Sequence, residues 1–391
     1  MGEPPLKTRR KQLLLQYYAR TLQLPTSAAY QITQPPDNNP GKLLTVADGI
    51  KSATNEVNLN VATLPFSYRN VPVWQLYTDI ICNHYEYPKK NTCSDHIMRS
   101  YFYEHKGQYH SNEFPIFTDG SKSDEGVGCA ATSYGGYRKM KLMTQSSIFT
   151  AELCGLFCGL QIANSMEHER FVIYCDSTSA IKVTDHFEST HPIIRKIIIL
   201  LIKLKNRNKN ISFCWSPAHV GIAGSEAADK LAASAARENT PPYNDELPYR
   251  DWYPLIREGV KDLWAAQWQR VDHNKLRQLK DTIVPWQPLN NRKQSIILTR
   301  LRIGHTKLTH QYLMEQQHQP YCEDCIVYLT VKHLLAECPS HSDLRLQLYP
   351  ESQNLSPEDT MRLMLAERQE EYFNPDRILR YLRELGAYSH I

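Results

Sequence analysis

The sequence predicts a mixed α/β sheet with helices on its faces, followed by a mainly helical C-terminal region that holds a small Cys/His module. Three observations lead there. Three strand patterns at 114–118, 126–134 and 137–143 are followed by helix, strand, helix, strand and helix patterns up to residue 238. Acidic residues stand directly after two of the apolar strands, at Asp119 and Asp176. Near the C-terminal end, Cys322-x2-Cys325-x7-His333-x4-Cys338 gathers four metal-ligand types in a short span.

Residues 1–112 are the least patterned stretch and read as a partly helical connector. Leu14, Tyr17, Tyr18 and Leu22 share one helical face, so a helix follows Pro5. Pro35, Pro36 and Pro40 exclude a helix or central strand around them, and Pro65, Pro72 and Pro88 interrupt the short apolar runs that follow. From 113 to 238 the patterns define one domain. Its first strand, 114–118, is aimed at Asp119, and the next two form a hairpin joined at Gly135-Gly136. Leu153, Leu156, Phe157 and Leu160 recur at helical spacing over 150–165. The strand 171–175 enters Asp176, with a short helix from Ser177. Thr190-His191-Pro192 then opens a longer helix with proline at its first position. The strand 211–215 leads into the loop Ser216-Pro217-Ala218-His219. Ser225 can cap a last helix whose apolar positions are Ala228, Leu231, Ala232 and Ala235.

Residues 239–250, with Pro241, Pro242 and Pro248, read as a linker, and 251–391 as a helical region with the Cys/His module at 320–341. Residues 253–279 have a helical pattern, and Pro285 and Pro288 punctuate the turn after it. Ser356-Pro357 and Asn374-Pro375 are cap-plus-proline helix starts, and Ile378, Tyr381, Leu382 and Leu385 make one apolar face after the second.

With 391 residues there is enough chain for two or three domains and a sizeable core. The net charge of +4 does not by itself argue for nucleic acid. Its distribution says more: residues 251–307 hold 11 Lys/Arg against 5 Asp/Glu, with four tryptophans interleaved, while 113–238 is nearly balanced at 14 to 13. Ten cysteines in a chain of this length are no disulfide scaffold. Cys129, Cys154, Cys158, Cys175 and Cys214 fall inside strand or helix patterns, which favours a reducing compartment, nucleus or cytosol. The longest apolar run, 197–202, is too short to span a bilayer, so no membrane partner is expected.

A carboxylate that ends an apolar strand costs desolvation free energy unless a cation or donor offsets it. Asp119, Glu152, Asp176 and Asp229 each belong to a different element, and together could hold two hard cations and leave room for a phosphate. Taken one at a time, each reads better as a turn former or cap, and only the set of four points to metal. Glu226 precedes Asp229 on the same helix face, and spacing does not choose between them. Gly120 and Ser121 read as a small turn beside Asp119 where backbone N–H groups approach phosphate or sugar.

The order and setting of these residues, with Trp215-Ser216-Pro217-Ala218-His219 between the third and fourth, resemble the type 1 ribonuclease H family. Further resemblance, in Leu298-Thr299-Arg300-Leu301-Arg302-Ile303-Gly304-His305 and Leu329-Thr330-Val331-Lys332-His333-Leu334-Leu335, is to the C-terminal tail of non-LTR retrotransposon polyproteins. The resemblance implies a five-stranded sheet with the Asp176 strand beside the Asp119 strand. It implies two magnesium ions, or manganese in their place, bound by the four carboxylates, with Asp119 bridging both. It assigns His219 to proton transfer or product release. The implied activity is hydrolysis of the RNA strand of RNA–DNA hybrids, with a reverse transcriptase as partner in cis or in trans. A non-catalytic nucleic-acid-binding remnant on the same fold is the alternative. A transposase-type recombinase fits less well, since those use fewer acidic residues in a different order.

For the Cys/His module, zinc held by Cys322, Cys325, His333 and Cys338 is the expectation, over free core cysteines. His341 reads as a surface histidine. The zinc would serve either as a structural staple or as the fold of a single-stranded nucleic-acid contact surface. Of the basic segment, Val260, Leu263, Trp264 and Trp268 read as core. Arg300 and Arg302, with Arg292, Lys293 and Lys307, are candidates for phosphate contacts.

Overall fold

The computed structural model describes residues 3–35, 45–63, 81–83, 93–183, 191–244, 246–271, 274–287, 289–366 and 374–391, with only the backbone of 81–83 and 183. The prolines expected to break the N-terminal stretch at 36, 40, 65, 72 and 88, and Thr190 and Pro288, lie outside these residues. The chain divides into two compact units, Arg10–Gly259 and Val260–Ile391 together with Met1–Arg9.

The first unit is built on one sheet. Its strands are β1 (Ile81–Asn83), β2 (Phe114–Ser123), β3 (Gly126–Ser133), β4 (Gly136–Leu142), β5 (Arg170–Cys175) and β6 (Asn210–Trp215). They lie in the order β1-β6-β5-β2-β3-β4. The five strands β2 to β6 are the mixed sheet that was expected: β2 is central, antiparallel to β3 and parallel to β5, with Phe117 opposite Tyr174. The sixth comes from upstream, where β1 pairs in parallel with β6 and covers an edge that would otherwise expose its backbone.

Alternation along the strands sends side chains to two cores. Ile116, Phe171, Ile173, Cys175 and Phe213 face one side, beneath helices Ile148–Ser165 and Pro192–Lys205. Phe117, Val172, Tyr174 and Cys214 face the other, where they meet Met98 and Phe102 of helix Asp95–Tyr109, and Ala228 of helix Ala223–Arg237. Part of the stretch read as a connector therefore completes the second core. Residues 239–250 are likewise no free linker: Tyr243 N–H donates to Lys141 O at 2.8 Å, and Leu247 is buried.

Several element bounds differ from the sequence expectation, each for a local reason. The hairpin turn is Tyr134-Gly135, because Gly136, at φ +134°, already pairs with Ser133. The last helix of the domain starts at Ala223 rather than after a Ser225 cap, and Ser225 Oγ is buried inside it. Ser147 caps the helix at Ile148–Ser165 by accepting from Thr150 N–H. This is the one described helix long and apolar enough to cross a membrane. Most of it is buried against the sheet, and that accounts for its apolarity.

In the second unit the segment read as one helix is two, Trp252–Gln269 (begun in the first unit) and Lys275–Leu279, the latter newly capped by Asn274. Trp264 and Trp268 are buried with Ile283. The larger core of this unit joins Leu298, Leu301, Leu335, Leu365, Ile378, Tyr381 and Leu382. Ser356 and Asn374 cap the two proline-led helices Pro357–Leu365 and Pro375–Glu384 as expected.

Candidate functional site

Asp119 lies within β2 rather than at its end, because the strand continues through Gly120 and Ser121, paired with Cys129 and Gly128. Those two residues are thus not a turn. Gly120 has a different role. A Cβ there would stand 2.6 Å from Glu152 N and 2.8 Å from the Ala151 carbonyl carbon, so only glycine lets the start of helix Ile148–Ser165 close onto the strand. From the helix side, a Cβ at Gly155 would meet Asp119 O at 2.9 Å. This close approach brings Glu152, the fifth residue of its helix, beside Asp119.

Asp176 follows β5, next to Asp119 by the parallel pairing of β5 and β2. Its backbone is held from β6: Trp215 Nε1–H donates to Asp176 O at 2.7 Å, and Ser216 N–H to Cys175 O at 3.0 Å. Asp229 comes from helix Ala223–Arg237, which approaches β3 where Gly128 leaves room beside Ala232 and Ala236. Glu226 on the same helix is exposed, and it is Asp229 whose charge acts on Asp119.

The electrostatics are those of an acidic cluster in need of a cation. Burial first, then the charges of Asp176 and Asp229, push the Asp119 carboxyl up to about 8, against a hydrogen bond from Gly120 N–H. Burial, Asp176 and Asp119 push Glu152 up to about 9, against hydrogen bonds from the Cys175 thiol and Gly120 N–H. Cys175 is the site residue that the sequence reading missed as such. Its Sγ donates to Glu152 Oε2 at 3.6 Å, and ligand atoms of Glu152, Cys175 and Asp176 lie within 4.8 Å of one another. Burial and Glu152 hold the thiol well above its usual range, so it serves as a neutral donor behind the carboxylates rather than as a ligand for a hard ion. The strand alternation that places 171, 173 and 175 on the Glu152 side was the available signal.

His219 is exposed, in a left-handed conformation at φ 55°, in the loop between β6 and helix Ala223–Arg237. Val220 and Ile222 anchor that loop in the second core. Gly221, at φ +83°, leaves room for the Arg99 guanidinium, which a Cβ would meet at 2.5 Å.

In the second unit, ligand atoms of Cys322, Cys325, His333 and Cys338 lie within 4.8 Å of one another. A two-strand hairpin, Tyr321–Cys322 with Val327–Tyr328, presents the first two thiols, and a π turn His333–Glu337 presents the imidazole. Cys338 Sγ is 4.0 Å from Cys322 Sγ and 3.8 Å from Cys325 Sγ, close to the roughly 3.8 Å expected between thiolates on one tetrahedral zinc. His333 Nε2 is buried with no hydrogen-bond partner, which a bound ion would supply. Backbone N–H groups of Cys325 and Asp324 lower the Cys322 thiol, whereas desolvation and the two neighbouring thiols push Cys325 up to about 12. This donor set fits zinc. His341 stands outside it, with Nδ1 3.2 Å from Leu334 O.

Of the candidate phosphate contacts, Arg300 and Arg302 diverge. Arg302 is buried, donates from Nε to Leu365 O at 3.0 Å, and has its guanidinium 3.6 Å from the Trp286 ring centroid. A guanidinium turned inward needs such partners, so this residue holds helices together and does not face phosphate. Arg300 bonds Ile391 O and lines a cavity of about 460 Å³ with Arg292, Lys293, Lys307 and Tyr388.

Residues 111–237 match the family model of RNase H. That span, which contains all four carboxylates and the His219 loop, is an RNase H domain. No curated protein matches the chain.

Proposed function

We propose that the chain is a metal-dependent ribonuclease that hydrolyses the RNA strand of RNA–DNA hybrids. The observation that carries this reading is the convergence of Asp119, Glu152 and Asp176 with Asp229, close enough that the neighbouring carboxylates raise the proton affinities of Asp119 and Glu152. Magnesium ions, the usual metal of this family, would activate water and stabilise the leaving oxygen there. Asp119 stands at the centre, acted on by Asp176 and Asp229 and itself acting on Glu152, which suits it to share both ions. Cys175 and Gly120 N–H orient the Glu152 carboxylate. His219, exposed on its loop, would exchange a proton with solvent and product.

The zinc module and the residues resembling retroelement tails support an origin in a retrotransposon polyprotein, whose polymerase would supply the hybrid. Tyr321 and Tyr328, paired across the module's hairpin and each over 60% exposed, suit stacking on single-stranded bases.

The test is cleavage of a labelled RNA–DNA hybrid by the purified chain with magnesium, beside Asp119→Asn and Asp176→Asn. The expected loss in the variants is about 10³-fold or more. Wild type that binds hybrid and cuts no faster than the variants would instead support the non-catalytic binding reading.

A further inference from the structure

A second group of soft metal donors lies on the face of the sheet opposite to the Glu152 helix. His105 ends a buried stripe of helix Asp95–Tyr109, His110 terminates that helix, and Cys214 projects from β6 into the same core. They are 4%, 1% and 0% exposed, and their ligand atoms lie within 4.8 Å of one another. Two imidazoles and a thiol so close together are unusual company for Met98, Phe102 and Tyr174. Cys214 Sγ stands 3.9 Å from His105 Nδ1 and donates to Trp215 O at 3.5 Å.

We propose that His105, His110 and Cys214 bind a zinc-class divalent ion that fastens helix Asp95–Tyr109 to β6. The spacing suits it: imidazole nitrogen and thiolate on one tetrahedral zinc stand roughly 3.5 Å apart, a few tenths of an ångström inside the observed contact. The surrounding bonds suit it as well. His110 Nδ1 is 2.5 Å from Glu113 Oε2, and Glu113 Oε1 in turn accepts from Ser212 Oγ at 3.0 Å. A carboxylate that accepts a hydrogen bond from Nδ1–H fixes the tautomer with its lone pair on Nε2, the arrangement that metal-binding histidines commonly have. The ion would release the Cys214 thiol proton to solvent on binding. Its fourth position would go to a small ligand such as water. Because all three donors are buried, the role is structural: it ties a segment upstream of the domain to the sheet.

The experiment compares tightly bound metal in the full-length wild type and in Cys214→Ser, which conserves shape. After dialysis against a weak chelator, Cys214→Ser should hold one zinc fewer per chain than wild type. With cobalt, it should lose the share of the thiolate-to-metal absorption due to one cysteine while the signal of the C-terminal three-thiolate site stays unchanged. Equal zinc content and identical cobalt spectra in the two proteins overturn the proposal. His110→Ala gives an independent check: it should lose the same equivalent with all thiols intact, and retention of that equivalent removes His110 from the site.

Discussion

Asp119 and Glu152 show how much a residue's neighbours decide. In the metal-free protein their carboxyls titrate near 8 and 9, whereas in the unfolded chain they titrate near the ordinary 3.8 and 4.5. The folded state therefore binds protons that the unfolded state releases between these values. The stability this contributes is full below about pH 4 and is lost as pH rises through 8 to 9. In chelator at about pH 9, Asp119→Asn should accordingly be more stable than wild type, by on the order of 2 kcal/mol. The gap should close toward pH 5, and magnesium should restore wild type far more than the variant. Urea melts at both pH values, with and without magnesium, measure this. A wild-type stability that tracks the variant across the range would mean that the carboxylates do not repel one another as described. Chemical identity made these residues legible as metal ligands. Their proton affinities were not legible, because each depends on burial and on charges from two other elements.

At the scale of elements, the decisive contact is that of β2 with helix Ile148–Ser165. Helix and hairpin patterns were readable because apolar periodicity is a local property. The length of β2 was not, since Gly120-Ser121 has the composition of a turn and becomes strand only by pairing with β3. The same holds for Ser225, whose residue type suits a cap but which lies inside its helix. Gly120→Ala should destabilise the domain by about 2–3 kcal/mol, as a Cβ forced against backbone atoms does. It should also lower cleavage at least tenfold by moving Glu152. Gly107→Ala is the control, because nothing lies within 4 Å of a Cβ there and helix propensity favours alanine. Thermal melts and hybrid cleavage of the two variants separate close packing from any general effect of alanine. Similar stability in both would refute the packing role of Gly120.

For the whole molecule, two compact units imply two stabilities. The Cys/His module is tied into the larger core of the Val260–Ile391 unit: Arg345 donates to Cys338 O at 3.3 Å, and Tyr381 Oη donates to Leu334 O, also at 3.3 Å. Cys338→Ser should remove the C-terminal zinc and destabilise Val260–Ile391 by on the order of 3 kcal/mol, lowering its melting transition by roughly 10 °C. The transition of Arg10–Gly259 should stay in place. Calorimetry with zinc analysis reads both, and a single transition shifting as one would show that the units unfold together.

The sequence by itself determined the order of strands and helices between residues 114 and 237, the four carboxylates, the histidine loop and the Cys/His spacing, because residue type and local periodicity carry that information. Only the tertiary structure decided that helix Asp95–Tyr109 belongs to the sheet, that Arg302 turns inward onto Trp286, and that Cys175 lies behind Glu152. It also brought His105 and His110 to Cys214, more than a hundred residues later in the chain. These are outcomes of packing between distant segments, and packing depends on which faces meet rather than on the identity of any one residue.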